Sequence, residues 1–152
     1  MAKEVSVDEL RERTGEEVGV SDWFEIDQKR VNAFADVTED HQFIHVNRLK
    51  AKLTPFGGTI AHGFLTLSLL THLTADTALV PTGTKMGVNY GFDKVRFLQP
   101  VRVGRRVRAR VRLLSVIERN PGQYLTKSEI TVEIDGEDKP ALVAEWLALL
   151  FT

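Results

Sequence analysis

The feature that most constrains the fold is an apolar segment near the middle of the chain, IAHGFLTLSLLTHLTADTALV, at positions 60–80. It follows a Gly-Gly loop and is long enough for a helix of about four turns. Asp76 is the first charged residue after the loop. A helix that is apolar nearly all round is a buried helix. The segment therefore predicts a long central helix that another layer of structure must cover.

The second half of the chain predicts that layer. Residues 105–118 and 123–135 alternate between polar and apolar side chains and are separated by an Asn-Pro-Gly turn, which is typical of a hairpin. Residues 140–151 are apolar on both faces, as in a central strand. Residues 85–101 predict one or two further strands, interrupted by Gly91. We therefore expect an α+β fold in which an antiparallel sheet wraps around the buried helix.

One face of the predicted hairpin is rich in arginine. The arginines are Arg106, Arg108, Arg110 and Arg112, and the residues that can face them across the turn are Glu129, Thr131 and Glu133. Such a face can bind phosphate, or it can be a solvated surface on which opposite charges meet across strands. We favour the second interpretation, because the acidic residues neutralise the arginines.

The first sixty residues predict shorter elements. Residues 7–13 read as a helix that Ser6 caps, residues 28–37 carry apolar side chains at helical spacing, and residues 46–53 form a short amphipathic helix. Residues 21–27 alternate like a strand. No linker or repeat divides the chain, so we expect a single domain over residues 1–152.

Composition excludes several classes of protein. The net charge of −1 argues against a protein that binds nucleic acid or an anionic membrane surface. The chain has no cysteine, which removes disulfides, a thiolate nucleophile and cysteine-based metal sites. Neither a signal core nor a run of about 20 apolar residues is present. We therefore expect a cytoplasmic protein.

The four histidines all fall between positions 41 and 72. His41 and His45 have the spacing of a helical metal site, but residue 42 is Gln where a zinc protease motif has Glu, so we expect no metal. His62 could instead cap a helix, His72 could be an ordinary side chain beside the helix, and Asp40 alone could be a cap. A third interpretation takes Asp40, His45 and Gly63 as one site.

Two stretches carry a family resemblance. FADVTEDHQFIHVN (34–47) and FGGTIAHGFLTLSLLT (56–71) resemble the two signatures of the MaoC-like, R-specific enoyl-CoA hydratases. The matching residues are Thr38, Asp40, Ile44 and His45 in the first, and Phe56, Ile60, Ala61, His62, Gly63 and Leu65 in the second. A weaker third element matches at Arg96, Phe97, Pro100, Val101 and Gly104. Glu39, Gln42 and Phe43 depart from the family's usual Gly, Asn and Pro in the turn that aims Asp40.

The resemblance implies a hot dog fold and a hydro-lyase. In this family water adds reversibly across a trans-2-enoyl thioester to give the (R)-3-hydroxyacyl thioester. Asp40 and His45 would share acid and base roles on one water, with Asp40 partly buried among Phe43, Ile44 and Phe56. The backbone N–H of Gly63, at the positive end of the buried helix, would stabilise the enolate oxygen.

The resemblance also implies the remaining site residues and partners. Those that would contact substrate are Thr71, Asn47, Phe56, Ile60 and His62. No separate cofactor is expected, because CoA or an acyl carrier protein is part of the thioester substrate, and Lys85, Arg96 and Arg102 are candidates for contact with CoA phosphates. The family assembles as homodimers, and long strands are compatible with edge pairing.

Two other functions stay open at this stage. A hot dog thioesterase would hydrolyse the thioester carbonyl itself, for which a carboxylate aimed at that carbon is needed. A non-catalytic subunit would bind acyl thioesters without turning them over. The resemblance of the Asp40–His45 pair to the hydratase signature favours the hydratase.

Overall fold

Long strands dominate the fold. The computed structural model describes residues 2–152. In chain order its elements are β1 (Lys3–Val5), α1 (Val7–Glu12), β2 (Glu17–Val20), β3 (Phe24–Glu25), α2 (Gln28–Thr38), α3 (Phe43–Val46), α4 (Arg48–Lys52), α5 (Gly63–Ser68), α6 (Leu70–Leu73), β4 (Leu79–Pro81), β5 (Met86–Phe97), β6 (Arg106–Asn120), β7 (Gln123–Ile134) and β8 (Leu142–Phe151).

The main sheet is antiparallel and has six strands. Its order is β2-β6-β7-β8-β5, with β3 also paired to β6. β8 lies between β7 and β5, which confirms the prediction that the doubly apolar segment is a central strand. β5 is the last strand of the order, and it is a single strand with register shifts around Gly91 rather than two strands. The α+β class and the antiparallel sheet are thus confirmed.

The arginine-rich face of β6 is neutralised by the neighbouring strands. Arg108 lies opposite Glu133 and Arg112 opposite Glu129, as expected from the alternation. Arg110 bonds to Glu133 at 2.7 Å and to Glu17 at 3.1 Å. The phosphate-binding interpretation of this face is therefore not needed.

The central helix differs from the prediction. Its helical residues run from Gly63 to Leu73, about three turns instead of about four, and a turn at Leu69 divides it into α5 and α6. Residues Leu79–Pro81 instead form β4, which pairs in parallel with β1. The helix is also not buried all round. Phe64 is 68% exposed, because the sheet covers only the face that carries Leu65, Leu69, Leu70 and Leu73.

The first two helices, α1 and α2, each begin at a residue whose side chain caps the helix. The Ser6 side chain accepts a hydrogen bond from the Glu9 N–H at 3.1 Å at the start of α1, as predicted. Asp27 caps α2 in the same way. The predicted strand at 21–27 is reduced to Phe24–Glu25. No helix among residues 2–152 has the length and apolar character needed to cross a membrane.

Glu39 ends α2 in a left-handed backbone conformation with φ of 60°. This conformation favours glycine, and residue 39 is the position at which the similar signature carries Gly. Glu39 therefore adopts this conformation at a cost of about 1 kcal/mol.

Candidate active site

His45 is held in one orientation by the backbone of a distant segment. Its Nδ1 lies 2.7 Å from the Ile60 carbonyl oxygen. A carbonyl oxygen can only accept, so Nδ1 carries the proton and Nε2 keeps its lone pair in the neutral ring. Gln28 holds the same residue from the other side, since its Nε2 donates to the His45 carbonyl at 2.8 Å. The geometry makes Nε2 the atom of His45 that can accept a proton.

Burial favours the neutral form of His45. Its side chain is 7% exposed. The pKa of His45 is lowered from 6.5, chiefly because burial disfavours the charged ring, and the nearby His62 adds to the effect. The bond to Ile60 opposes this shift without reversing it. His45 is therefore uncharged near neutral pH and available as a base.

His62 lies against His45 instead of acting as a helix cap. The two rings stack with centroids 3.8 Å apart and an interplanar angle of 23°. His62 occupies the residue before α5, but its side chain makes no capping hydrogen bond. Its Nε2 instead donates to the Asp40 carbonyl oxygen at 2.9 Å, while its Nδ1 is buried without a partner among the described residues. His62 therefore supports both His45 and the backbone of Asp40.

Asp40 reaches the same place but is not buried. Its side chain is 52% exposed, which corrects the expectation of burial among apolar residues. One of its carboxylate oxygens and ring nitrogens of His45 and His62 lie within 4.8 Å of one another. Two hydrogen bonds of ordinary length meet at a tetrahedral water when their partners are about 4.6 Å apart. Asp40 and His45 are therefore within the distance that one water or hydroxyl can bridge.

The metal pair suggested by the sequence does not form. His41 is exposed and its Nε2 bonds to Asp36 at 2.9 Å, away from His45. Among residues 2–152, Asp40, His45 and His62 are the group that could hold an ion. The 3.9 Å between Asp40 Oδ2 and His62 Nε2 exceeds the roughly 3.3 Å between ligand atoms of a tetrahedral zinc site. The Nε2 of His62 also donates to the Asp40 carbonyl oxygen, so it has no lone pair for an ion.

A cavity of about 430 Å³ connects the histidine to the helix. Its lining includes His45, Ile60, Phe56 and Gly63, so the structure brings together four of the residues singled out in the sequence. The rest of the wall is largely apolar and includes Phe97 and Leu142. This composition suits a chain of methylene groups with polar chemistry at one end.

Gly63 presents a backbone donor to this cavity. It is the first residue of α5, and its N–H has no hydrogen-bond partner within residues 2–152. A Cβ at this position would meet the Phe97 ring at 3.1 Å. Because α5 has six residues, the N–H itself and not a long helix dipole is the useful feature. The site therefore offers a donor that a side chain would crowd.

Thr66 is a site residue that the sequence analysis missed. It is 3% exposed and lines the cavity three residues after Gly63. Thr74 and Ser68 bond their hydroxyls back to the carbonyl four residues earlier, whereas the Thr66 hydroxyl makes no such bond. Helical spacing from Gly63 was a signal that could have identified it, since residues three apart share a face.

Three expected substrate contacts do not line the catalytic cavity, and one of them is the buried His62. Asn47 caps α4, with its side chain accepting from the Lys50 N–H at 3.0 Å. Thr71 lines a different cavity of about 210 Å³, between the helix and the inner face of the sheet. Thr71 lies eight residues after Gly63, which is a little over two helical turns. The break at Leu69 further changes the direction in which Thr71 points. Neither Asn47 nor Thr71 lines the cavity that contains His45.

Comparisons with known proteins agree with this fold. The model of the MaoC like domain matches residues 9–134. A 3-hydroxyacyl-thioester dehydratase Z of Mycobacterium tuberculosis is 50% identical over 140 residues, covering 92% of each chain. Nodulation protein N of Rhizobium leguminosarum is 46% identical over 148 residues, covering 97% of this chain and 92% of that protein.

A solved structure shows the same fold. The monoamine oxidase regulatory protein from Archaeoglobus superposes with a TM-score of 0.81 at 21% identity, covering 99% of this chain and 96% of the other. The expectation of a hot dog fold is confirmed by this likeness together with the domain match. Since the domain model covers most of the chain and relatives near half identity span nearly all of it, the chain belongs to the MaoC-like dehydratase family.

Proposed function

We propose that this protein is an R-specific enoyl-CoA hydratase that also works in reverse, as a 3-hydroxyacyl-thioester dehydratase. The observation that carries the proposal is the neutral His45, whose Nδ1–H is committed to Ile60 and whose Nε2 is left for a proton from water. The dehydratase activity named for the mycobacterial relative supports the same reaction class. The R configuration rests on the resemblance of the two signatures.

In the hydration direction the water oxygen bonds to Cβ of the enoyl thioester. A water proton passes to the Asp40–His45 pair, and the electrons of the double bond move toward the thioester oxygen. The Gly63 N–H stabilises that developing negative charge, and the Thr66 hydroxyl, which lines the same cavity, assists it. The pair then returns a proton to Cα on the same face of the substrate. Dehydration follows the same steps in reverse.

We also propose a homodimer, as the family resemblance implies. β5 ends the sheet order, so its outer backbone groups are open to pairing. Several of its apolar side chains are exposed, including Met86, Tyr90 and Phe92, and Phe64 of α5 is exposed as well. A second copy placed along β5 would cover these side chains. Analytical ultracentrifugation tests this, and a monomer at micromolar concentration would contradict it.

Incubation with crotonyl-CoA separates the candidate functions. Hydration removes the enoyl absorbance without releasing a free thiol, and this is the expected result. Thiol release would instead indicate a thioesterase. Neither change, across enoyl-CoA substrates of increasing chain length and an enoyl acyl carrier protein, would indicate a non-catalytic binder. Chiral analysis of the 3-hydroxyacyl product then tests the R configuration.

A further inference from the structure

Gln28 joins two segments that each carry part of the catalytic site. It is the first residue of α2, and its side chain is half-buried. Its Oε1 accepts a 2.6 Å hydrogen bond from the Thr59 hydroxyl, and its Nε2 donates to the His45 carbonyl at 2.8 Å. One side-chain amide therefore holds both the proposed base and the residue that precedes Ile60.

The partners fix the orientation of the Gln28 amide. The His45 carbonyl can only accept, so the NH2 group of the amide faces it and Oε1 faces the Thr59 hydroxyl. The same NH2 group also donates to the Asn32 side chain at 2.9 Å. Thr59 is 6% exposed, and a hydroxyl buried to this extent needs a hydrogen-bond partner. An apolar side chain at position 28 could make neither bond.

The helix that carries His45 depends on contacts of this kind. α3 has four residues, and the side chain of Gln42 at its start makes no capping hydrogen bond. Isolated helices shorter than about 12 residues are marginal in water, so tertiary contacts must orient α3. The carbonyls at the end of a helix also lack donors within that helix. Gln28 supplies such a donor to the carbonyl of His45.

The start of α2 and the Thr59 segment are both attached to the rest of the fold. Two residues before Gln28, the Ile26 N–H donates to the Arg105 carbonyl at 3.0 Å. The Thr59 carbonyl accepts from the Val103 N–H at 2.9 Å. Gln28 thus holds the short helix α3 against two segments that have their own backbone partners.

The contact between these segments sets the tautomer of His45. The Ile60 N–H donates to the Ile44 carbonyl at 3.0 Å, and the Ile60 carbonyl accepts from Nδ1 of His45 at 2.7 Å. Gln28 adds a third link between the same segments. The bond made by one imidazole nitrogen decides which nitrogen carries the proton. A shift of α3 that breaks the Nδ1 bond would let the proton occupy Nε2, where it blocks the base.

We propose that Gln28 is a positioning residue for the hydration reaction, and that its amide holds α3 against residues 59–60 so that the neutral His45 keeps its proton on Nδ1. This inference rests on the proposed function, since it concerns the base of the same reaction. Gln28 does not line the catalytic cavity, so it acts through His45 and not on the substrate. Its loss therefore lowers kcat and leaves substrate binding in place.

Steady-state kinetics with crotonyl-CoA test this role. In Gln28→Leu, which removes the amide and keeps similar bulk, we expect kcat to fall at least about tenfold while KM changes by less than about twofold, because a misplaced base slows the chemical step. Thr59→Val removes the hydroxyl and should lower kcat in the same direction. The double variant should lose no more than the more affected single variant, since the two side chains act as a unit.

Ser21→Ala is the matched control for a simple loss of stability. The Ser21 hydroxyl accepts a 2.9 Å hydrogen bond from the Ala109 N–H and does not line the catalytic cavity. Its removal costs a side-chain hydrogen bond of the same kind, so the free energy of unfolding should fall while kcat stays unchanged.

Nitrogen NMR of isotope-labelled histidine rings gives a readout that does not depend on turnover. We expect the wild type, above the pKa of His45, to carry the proton of this ring on Nδ1. Gln28→Leu should show a mixture of the two tautomers, and Ser21→Ala should match the wild type. His45→Gln assigns the signal, because it removes that ring alone.

The opposite results would overturn the proposal. These are a wild-type value of kcat or a pure Nδ1 tautomer in Gln28→Leu, or an equal loss of kcat in Ser21→Ala. A higher KM without a lower kcat would place Gln28 in substrate binding instead. Where Gln28→Leu does not fold, Thr59→Val gives the same readings. If no thioester is turned over, the proposed function fails, and the tautomer in Gln28→Leu alone decides whether Gln28 positions His45.

Discussion

The imidazole rings of His45 and His62 lie face to face, with their centroids 3.8 Å apart. Two protonated rings at this distance would repel strongly, so the arrangement suits a pair that carries at most one positive charge. His62 contributes to the lowered pKa of His45, although burial is the larger cause. Burial and the stacked ring of His62 together favour the neutral form of His45, which can accept a proton from water.

Removal of either acid–base group should abolish most of the activity. We expect Asp40→Asn and His45→Gln each to lower kcat by roughly a hundredfold or more, because proton transfer to and from the shared water is lost. The hydration rate with crotonyl-CoA measures this. His41→Gln is the matched control, since His41 bonds to Asp36 and should leave the rate unchanged. Full activity in both site variants would contradict the mechanism.

The pH dependence follows from the lowered pKa of His45. Below its folded pKa the ring is protonated and cannot act as a base, so the acid limb of the kcat/KM profile should lie below 6.5, the ordinary value. We expect His62→Phe to move this limb to higher pH, because one cause of the lowering is removed. A limb that stays in place would show that His62 has no influence on His45.

The free energy of unfolding should depend on the protonation of His45 as well. Because the folded pKa of His45 is depressed, its contribution to the free energy of unfolding is fully present above 6.5 and is lost as pH falls through the folded pKa. Urea unfolding from about pH 7 to about pH 5 should therefore show a steeper loss of stability in the wild type than in His45→Gln. An equal loss of stability with falling pH in the two proteins would contradict the lowered pKa of His45.

The Thr66 hydroxyl should assist catalysis without stabilising the fold. Thr66→Val keeps the shape of the side chain and removes the donor, so we expect kcat to fall by about tenfold with little change in melting temperature. Thr66→Ser should retain most of the activity. Thr74→Val is the control, since its hydroxyl bonds to the Leu70 carbonyl and lies outside the catalytic cavity. A similar loss in both valine variants would remove Thr66 from the site.

Gly63→Ala tests the close approach of substrate to the backbone. The added Cβ would meet the Phe97 ring at 3.1 Å and crowd the cavity, so we expect a large loss of kcat/KM. Phe97→Leu in the same chain gives the methyl group more room. If the double variant recovers full activity, the loss came from the ring contact and not from blocked access to the Gly63 N–H.

Glu39→Gly should stabilise the protein modestly. Glu39 has φ of 60°, which glycine adopts without steric cost, so we expect a gain of up to about 1 kcal/mol in the free energy of unfolding. Chemical denaturation measures the change. A lower free energy of unfolding in Glu39→Gly would contradict a strained backbone at this residue.

Features set by short-range patterns were predictable from the sequence alone. The period-2 alternation placed β6 and β7 and matched Arg108 with Glu133, because side chains on a strand alternate between faces whatever the rest of the chain does. The Ser6 cap depends on a bond three residues away. Family signatures supplied Asp40, His45 and Gly63, since their spacing is itself a local pattern.

The tertiary structure alone decided how those groups meet. The tautomer of His45 depends on the carbonyl of Ile60, fifteen residues away, and the ring that stacks on it comes from the helix entrance at His62. Thr66 rather than Thr71 faces the catalytic cavity because the helix breaks at Leu69 and the sheet covers one side of it. Such contacts join segments that are distant in sequence, and only packing determines which atoms come within bonding distance.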